Sequence, residues 1–408
     1  MATIEKESGT ERAEPLRPDV RPCAFRVVLL RNFLGPYELP WLQALRRRVA
    51  ELSIVASRDT HDLLPWAMED GGLKVEVQDR FALLEKQAHP GGFTDGTKIQ
   101  LPYGTLKHLR RLRPDVIISS ELGARTLQAL SYTYWKKGTA LVAYAAVSER
   151  TETGRGIARR LIRRFLLKRV SAVITPGSSG ARYLERLGAR SERIFIVPRT
   201  TDMRPFLNLP LQRGEDGALR LFFPGQQIQR KGLLPFLDIL CRWAGNHPER
   251  RVEFWLLGNG PERSALETHP KPPNLTVTFF DGVPYDQLPC FFEQAGILAF
   301  PTLADEWGLV VNEALASGMP VLGSVHSQAV TEMVKDGVNG WTFPADRPHE
   351  MYSAIDRALT TTSERLMTMR TAARRSVELL TPEFAADRVL QAVQFALGVG
   401  TDGRCLNS

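Results

Sequence analysis

Short apolar runs alternate with longer amphipathic stretches along most of the chain. The run at 25–30 is followed by a helical pattern at 41–49, and further apolar runs stand at 116–119, 141–145 and 172–175. Short apolar runs bounded by turn residues predict buried strands, and stretches with a period near 3.6 predict helices. Strands that alternate with helices favour a parallel sheet covered by helices on both faces, so we expect an α/β protein.

The alternation is interrupted at 199–217, RTTDMRPFLNLPLQRGEDG, where proline and glycine gather, and it resumes at 219–223. A chain of 408 residues also exceeds one ordinary core, which favours two domains. We interpret the interruption as a linker. The predicted parts are a disordered polar tail at 1–20, a first domain at 21–204, a second domain at 205–380 and a C-terminal helical segment at 381–408.

The stretch ILAFPTLADEWGLVVNEALASGMPVLGS, at 297–324, predicts a strand, a loop, a helix and a second strand. Its loop carries Asp305 and Glu306 at the end of a strand and the start of a helix, where open α/β sheets bind ligands. The first N–H groups of such a helix favour a phosphate. Glu313 stands inside the helix, eight positions after Asp305. Carboxylates accept hydrogen bonds from vicinal hydroxyls, so the pattern is typical of a site for a nucleotide joined to a sugar.

The same acids also have plainer interpretations. Asp305 or Glu306 could cap the helix N-terminus, where acidic side chains are common. Glu313 could be a solvated helix residue.

A cationic turn follows the strand predicted at 219–223. In PGQQIQRKGL, Gly225 and Gly232 bracket Gln226, Arg230 and Lys231. Two cations at the carboxyl end of a strand suit a diphosphate. The alternative is a basic loop that only caps the next helix.

Three loops of the first half are further candidates. Gly35 lies in the loop after the first strand, and either a phosphate-facing turn or a plain turn fits it. The glycine-rich stretch 79–105 predicts an irregular, mobile loop. Glu149 and Glu152 follow the strand at 141–145 and either face a ligand or are solvated.

The span from Glu152 to Glu185 contains no other acid and eight bases, which equals the net charge of +8 for the chain. Its helix at 156–169 divides, at about 100° per residue, into an apolar face and a basic face. The apolar face contains Ile157, Leu161, Ile162, Phe165 and Leu166, and the basic face contains Arg159, Arg160, Arg163, Arg164 and Lys168. We expect the apolar face to pack on the sheet. The arginines then face either solvent or anionic lipid headgroups or an anionic acceptor.

The composition limits the class of protein and the cellular compartment that we expect. Hydrophobic content of 43% and charged content of 24% are those of a soluble globular protein. Four scattered cysteines indicate a reducing compartment and no metal site, and no apolar run approaches the roughly 20 residues of a membrane span. The first 20 residues lack the apolar core of a signal peptide. We expect a cytoplasmic protein without a cofactor, and association with the inner membrane face stays open. No motif favours nucleic acid.

The ordered series GQQIQRKG, LGNGPE, FFDGVP, FPTLADEWGLVVNEALASGMPVLGS and DGVNGWTF resembles the retaining, nucleotide-sugar-dependent glycosyltransferases of family 4 type. The resemblance is strong over 219–356 and fainter upstream. It implies the GT-B fold, in which two Rossmann-like domains face each other across a cleft. It also implies that the last helix, at 382–397, crosses back onto the first domain.

The resemblance assigns roles to individual residues. Lys231 would contact the donor diphosphate, and Gln226 replaces the arginine that usually accompanies this lysine. Asp305 would hold the transferred sugar, where the family usually has glutamate, and Glu313 would bind the ribose hydroxyls.

Backbone groups complete the implied donor site. Gly308 and Leu309 would offer N–H groups to the phosphates, and Val283 would hold the base through its main chain. Ser327 and Gln328 stand near the place of the family's paired glycines. No histidine of the first half matches the family's frequent one, so no general base is assigned.

The resulting hypothesis is a hexosyltransferase that uses a UDP- or GDP-sugar and retains the anomeric configuration. Its acceptor would be a lipid-linked or polysaccharide intermediate of cell-surface glycan synthesis. A nucleotide-sugar epimerase of similar fold is one alternative, and a non-catalytic basic protein that binds membranes or nucleic acid is another. Product analysis with and without an acceptor separates the first two, and steeply salt-dependent binding without donor turnover would indicate the third.

Overall fold

The computed structural model describes residues 23–32, 34–57, 73–213 and 220–399. The tail predicted at 1–20 and the last nine residues lie outside the described residues.

Strands of the first half form a seven-stranded parallel sheet within the described residues, in the order β3-β2-β1-β6-β7-β8-β9. The sheet strands are β1 (Cys23–Arg31), β2 (Val49–Ala56), β3 (Lys74–Val77), β6 (Val116–Ser119), β7 (Ala140–Tyr144), β8 (Ala172–Thr175) and β9 (Ile194–Ile196). Two further strands, β4 (Arg80–His89) and β5 (Phe93–Pro102), pair antiparallel as a hairpin. The prediction of an irregular loop at 79–105 is therefore wrong.

Strands of the second half form a six-stranded parallel sheet in the order β12-β11-β10-β13-β14-β15. They are β10 (Arg220–Pro224), β11 (Val252–Leu257), β12 (Leu275–Phe280), β13 (Ile297–Phe300), β14 (Val321–Ser324) and β15 (Gly340–Phe343). Phe222 of β10 pairs with Trp255 of β11 on one side and with Leu298 of β13 on the other. In both sheets the order of the strands reverses beside the first strand, between β1 and β6 and between β10 and β13. The loops after β10 and β13 therefore meet at a crevice where such sheets bind ligands.

Helices cover both sheets. In the described residues they are α1 (Leu39–Arg46), α2 (Thr105–Leu112), α3 (Ala124–Trp135), α4 (Ile157–Leu167), α5 (Ser178–Arg186), α6 (Arg204–Leu207), α7 (Leu233–Asn246), α8 (Arg263–Thr268), α9 (Leu288–Gln294), α10 (Leu309–Ala316), α11 (Gln328–Met333), α12 (Pro348–Leu359), α13 (Ser363–Val377) and α14 (Pro382–Leu397). Of the helices in the described part of the chain, none has the length and apolar character needed to cross a bilayer.

The last helix joins the two halves. Val389, Leu390 and Val393 of α14 are buried in the same hydrophobic cluster as Val27 and Leu29 of β1. This packing confirms that the C-terminal helix crosses back onto the first domain. The linker contributes to the other side, since Phe206 of α6 is buried in the core of the second sheet. The exact boundary between residues 204 and 205 stays a prediction.

Candidate active site

The cationic turn and the acidic loop meet at the carboxyl ends of β10 and β13. The Lys231 Nζ lies 2.5 Å from Asp305 Oδ2, and a terminal guanidinium nitrogen of Arg230 lies 3.6 Å from the same oxygen. Arg230 also donates to the Ala304 carbonyl at 2.9 Å. The structure thus brings together the two cations and the first acid that the sequence singled out.

Backbone contacts fix this approach. The Arg230 carbonyl accepts hydrogen bonds from the Leu303 N–H at 2.9 Å and the Thr302 hydroxyl at 3.1 Å. Gly232 has φ +66°, and a Cβ there would stand 2.4 Å from the Pro301 carbonyl oxygen. Glycine is required at this position because both the left-handed conformation and the close backbone contact exclude a side chain.

The cations decide the charge of the acid. Burial alone would raise the pKa of Asp305, but the charges of Lys231 and Arg230 outweigh burial and hold that pKa below its ordinary value. Asp305 is therefore ionised at neutral pH. Two cations facing one carboxylate leave a surplus positive charge at the strand ends, which favours an anionic ligand.

The helix after this loop begins at a second constrained glycine. Gly308 precedes Leu309 at the N-terminus of α10 and has φ +106°. A Cβ added at Gly308 would lie 2.8 Å from an atom of the Phe300 ring. The Asp305 carboxylate also accepts a hydrogen bond from the Trp307 N–H at 3.3 Å. Trp307 lies before the helix, the N-cap residue is Gly308, and no side chain makes a capping hydrogen bond there, so the interpretation of Asp305 or Glu306 as the cap of α10 is wrong.

Glu313 lies on the buried side of α10 and is only 6% exposed. Its Oε1 accepts a hydrogen bond from the Tyr285 hydroxyl at 2.9 Å. Burial raises the pKa of Glu313 to about 7, against the opposing effect of that hydrogen bond. The interpretation of Glu313 as a solvated helix residue is therefore wrong, and the carboxyl group is poised to change charge near neutral pH.

The remaining donor-side residues surround this unit. Gly225 lies in a turn whose next residues interlock with the glycine turn after β11, since the Gln227 N–H donates to the Asn259 carbonyl at 3.0 Å. The Gln226 side chain is exposed, and Val283 is half-buried against the second-domain core. Their assignment to donor binding stays a prediction.

Glu306, the neighbour of Asp305, is in contact with a cavity that is lined mainly by first-domain residues. The cavity has a volume of about 660 Å³, and its lining includes Arg31, Tyr37, Glu121, Tyr144, Glu152 and Arg199. Burial raises the pKa of Glu306 to about 7, although the charge of Arg199 opposes the increase. Glu306 thus adjoins both the donor-side residues and this cavity, and its predicted donor-side role stays a prediction.

Arg199, Tyr37 and Tyr144 in this cavity were missed by sequence reasoning. Burial would lower the pKa of Arg199, but the neighbouring Tyr144 and Glu38 oxygens outweigh burial and raise it. The loop after β1 supports the group, because the Gly35 N–H donates to Glu38 at 3.4 Å and Glu38 pairs with Arg31 at 2.7 Å. Gly35 is therefore a neighbour of the cavity through its backbone.

The two acids predicted after β7 are both neutralised by arginines. Glu149 pairs with Arg182 at 3.0 Å and Arg186 at 2.7 Å, on the helix α5. Glu152 forms a two-pronged ion pair with Arg163, and the Tyr183 hydroxyl lies 2.7 Å from the same guanidinium. Glu149 is not among the residues that line the cavity, so its predicted acceptor contact is not supported.

Helix α4 is turned opposite to our expectation. Arg163 is buried by its pair with Glu152, whereas Ile157, Leu161, Ile162 and Phe165 are exposed by 74%, 61%, 42% and 43%. Arg160 and Arg164 are exposed, and Arg159 is half-buried at the cavity wall. Leu166 of the predicted apolar face does pack in the core of the first sheet. For the other four residues the prediction is wrong, because the partners of Arg163 come from a loop and from α5, which the helix pattern does not reveal.

Two side chains of α11 bridge the domains. The Gln328 Nε2 donates to the Val147 carbonyl at 2.8 Å, and its Oε1 accepts from the Gly180 N–H at 2.9 Å. Glu332 accepts from the Ser178 N–H at 2.7 Å. The helix α5 of the first domain is thus capped by the second domain. The signal in the sequence for this contact is limited to the substitution of the expected glycines at Ser327 and Gln328.

The described residues contain no group of three or more His, Cys, Asp or Glu side chains arranged to hold a metal ion. With its own residues this cleft can stabilise an anion through Lys231 and Arg230. It can also accept hydrogen bonds from ligand hydroxyls through Asp305 and Glu313.

Two doubly wound domains that face each other across a cleft, with a last helix that crosses back, define the GT-B fold. Comparison with known proteins agrees. The family model "Glycosyl transferase 4-like domain" matches residues 12–200, and "Glycosyl transferases group 1" matches residues 218–361. Together the matches and the fold support a GT-B glycosyltransferase.

Individual relatives are distant. An uncharacterized glycosyltransferase of Methanocaldococcus jannaschii is 26% identical over 36% of this chain and 37% of its own length. The D-inositol 3-phosphate glycosyltransferase of Nocardia farcinica is 27% identical over 45% of this chain and 44% of its own length. The chain thus spans less than half the length of these curated relatives. The crystal structure of Anabaena Alr3699/HepE in complex with UDP matches 90% of this chain and 99% of its own, with a TM-score of 0.68 and 15% identity.

Proposed function

We propose that this protein transfers a sugar from a nucleotide-diphosphate sugar to an acceptor hydroxyl and retains the anomeric configuration. The observation that carries the proposal is the cluster of Lys231, Arg230 and Asp305 at the carboxyl ends of β10 and β13. It holds surplus positive charge beside the start of α10, where a diphosphate is favoured on two counts.

The donor we propose is a UDP-sugar. Solved structures of the same fold have been determined with UDP and with UDP-glucose. In this chain the buried Glu313 offers carboxylate oxygens to the ribose hydroxyls, and the Tyr285 hydroxyl that holds it at 2.9 Å fixes its position. Asp305 would accept from hydroxyls of the transferred sugar once the diphosphate competes for Lys231.

In the proposed reaction, negative charge develops on the leaving diphosphate, next to the fixed cations Lys231 and Arg230. The bond between the anomeric carbon and the diphosphate oxygen breaks, and a bond to the acceptor oxygen forms on the same face. The acceptor proton passes to the leaving diphosphate, which departs as nucleoside diphosphate. Lys231 and Arg230 stabilise the leaving group through a preorganised field that needs no rearrangement during reaction. Gln226 is exposed and uncharged, so the positive charge that stabilises the leaving diphosphate comes from Arg230 and Lys231.

The acceptor would enter from the first domain. The cavity that Glu306 shares with Arg31, Arg199 and Tyr144 adjoins the donor side through the single peptide between Asp305 and Glu306. A lipid-linked or polysaccharide intermediate of cell-surface glycan synthesis suits a cavity that combines apolar walls with hydrogen-bonding groups.

The test is turnover with purified protein. UDP-glucose, UDP-galactose, UDP-N-acetylglucosamine and GDP-mannose are compared first by thermal shift and then by release of nucleoside diphosphate. We expect stabilisation by a UDP-sugar and slow hydrolysis that Lys231→Ala abolishes. Product configuration is then read from the anomeric proton coupling in NMR. No stabilisation by any of the four donors, or an inverted product, would overturn the proposal.

A further inference from the structure

The helix α4 presents an apolar row to solvent. Ile157, Leu161 and Phe165 are spaced four residues apart, lie in one line along the helix, and are exposed by 74%, 61% and 43%. The opposite side of the helix is already occupied, because Leu166 and Leu167 are buried in the core of the first sheet. The apolar row is therefore left outside a helix that is fully packed on its other side.

Basic side chains flank this row. Arg160, Arg164 and Lys168 form the next line along the same helix, and all three are exposed. At the C-terminal end, the Arg169 guanidinium lies 3.7 Å from the centre of the Phe165 ring. No acid occurs between Glu152 and Glu185. An apolar row flanked along one side by exposed cations complements a surface that is apolar inside and anionic at its boundary.

We propose that helix α4 docks on an anionic bilayer surface, with Ile157, Leu161 and Phe165 inserted among the lipid chains and Arg160, Arg164 and Lys168 at the level of the headgroup phosphates. This arrangement differs from a purely electrostatic contact, because apolar insertion and charge attraction both contribute. A second copy of the chain is a poorer occupant, since it would bring the same cations close together.

The position of the helix connects the surface to the cleft. Arg159 and Ile162 of α4 line the cavity that also contains Glu306. A membrane against the apolar row therefore lies next to the cavity entrance. On the basis of the proposed function, an acceptor with a lipid anchor reaches the cavity along α4 while its anchor stays in the bilayer.

The experiment is vesicle flotation of the full chain. Vesicles of phosphatidylcholine alone are compared with vesicles that also contain phosphatidylglycerol. We expect binding to the anionic vesicles only. Leu161→Ser combined with Phe165→Ser should reduce partitioning by at least about tenfold, since the apolar contact of both side chains with the lipid chains is lost. Arg160→Gln combined with Arg164→Gln should reduce it by about 25-fold, about fivefold for each charge.

Leu379→Ser is the matched control, because Leu379 is 81% exposed and lies in the second half of the chain. It should bind vesicles like the wild type. Thermal stabilisation by UDP should be the same in every variant, so a failed donor assay and a failed flotation assay are distinguishable.

Three results would overturn the proposal. The first is partitioning of the Leu161→Ser, Phe165→Ser variant equal to that of the wild type, and the second is equal wild-type binding to both kinds of vesicle. The third is a wild-type dimer in sedimentation equilibrium that this variant dissociates while neither protein binds vesicles, which would assign the row to a second copy.

Discussion

Two ion pairs flank the cleft, and they differ in what surrounds them. Arg163 and Glu152 meet through both carboxylate oxygens, Tyr183 contacts the same guanidinium, and the two side chains are 6% and 4% exposed. Lys231 and Asp305 meet through one oxygen, stand beside the additional cation Arg230, and are 15% and 13% exposed.

In the pair of Arg163 and Glu152 the two charges cancel. The pair of Lys231 and Asp305, with Arg230 beside it, carries a surplus positive charge that faces the cleft. A neutralised pair in the interior fixes the positions of a loop and two helices. A pair with an extra cation can exchange its carboxylate for the phosphates of a ligand. Similar residue types therefore serve stability on one side of the cleft and ligand binding on the other.

The strongest test of this difference is Arg163→Ala. Removing one partner leaves the Glu152 carboxylate buried without its counterion, so the free energy of unfolding should fall by about 3–5 kcal/mol. Urea unfolding followed by circular dichroism measures the change. The neighbouring exposed Arg164 provides the control, because Arg164→Ala should change stability by no more than about 0.5 kcal/mol. Equal effects of the two substitutions would show that Glu152 does not depend on its partner.

Lys231→Ala should have the converse effect. Loss of one fixed cation at the leaving diphosphate should lower donor turnover by about 10²–10³-fold, the range for removal of one preorganised group. Arg230 remains near Asp305, so the melting temperature should change little. Lys335→Ala, an exposed lysine of the second domain, is the control. Turnover within a few fold of the wild type would remove Lys231 from the site.

Glu313→Gln should weaken binding of UDP-glucose by about 1.5–3 kcal/mol, the range for hydrogen bonds to a charged group. Burial raises the pKa of Glu313 to about 7, so the carboxyl group is neutral below that pH and ionised above it. An ionised carboxylate accepts better from ribose hydroxyls. Wild-type affinity should therefore fall as the pH decreases through 7 and level off above it.

Isothermal titration calorimetry with UDP-glucose across this pH range checks both statements, since the diphosphate of this donor does not titrate near 7. The Glu313→Gln protein should show a flat profile. A profile that keeps its inflection in Glu313→Gln would assign the titration to another group.

Glu306→Gln should have the smallest effect on the donor. Its carboxyl group has a pKa raised to about 7 by burial but lies in the cavity on the first-domain side. We expect UDP-glucose affinity within about twofold of the wild type, roughly 0.4 kcal/mol, with the pH dependence retained. Asp305→Asn is the comparison variant, and its affinity for UDP-glucose should be clearly lower than that of the wild type. A loss in Glu306→Gln as large as that in Asp305→Asn would place Glu306 on the donor side.

The alternation of strands and helices, and the position of the cationic turn and the acidic loop at the carboxyl ends of strands, could be predicted because both follow from local patterns. Apolar runs predict strands, and the ends of neighbouring parallel strands meet at one edge. Glu313 was recognised by its spacing, but its burial was not, since Tyr285 lies 28 positions away in sequence. The role that a helix residue adopts depends on distant partners, which a single segment does not contain.

Helix α4 shows the same limit more strongly. Its pattern divides cleanly into two faces, and the sequence alone favours the apolar one as buried. Glu152 and Tyr183 reverse the choice by providing partners for Arg163. The hairpin of β4 and β5 was missed for a related reason, because its glycines suggested a loop while the pairing depends on two strands matched over ten positions.

On the proposed function, in which the cleft opens to exchange ligands, the bonds of Gln328 oppose each opening. One neutral amide spans three backbone groups, from Val147 to Gly180 in the first domain and to Glu306 in the second. Separating the domains leaves the Gly180 N–H of α5 without its acceptor and the Val147 carbonyl without its donor until water replaces them. Each lost bond costs about 0.5–1.5 kcal/mol net, so opening carries a barrier of its own. On the proposed function, product release requires that opening, and we expect it to compete with bond making as the slow step of each cycle.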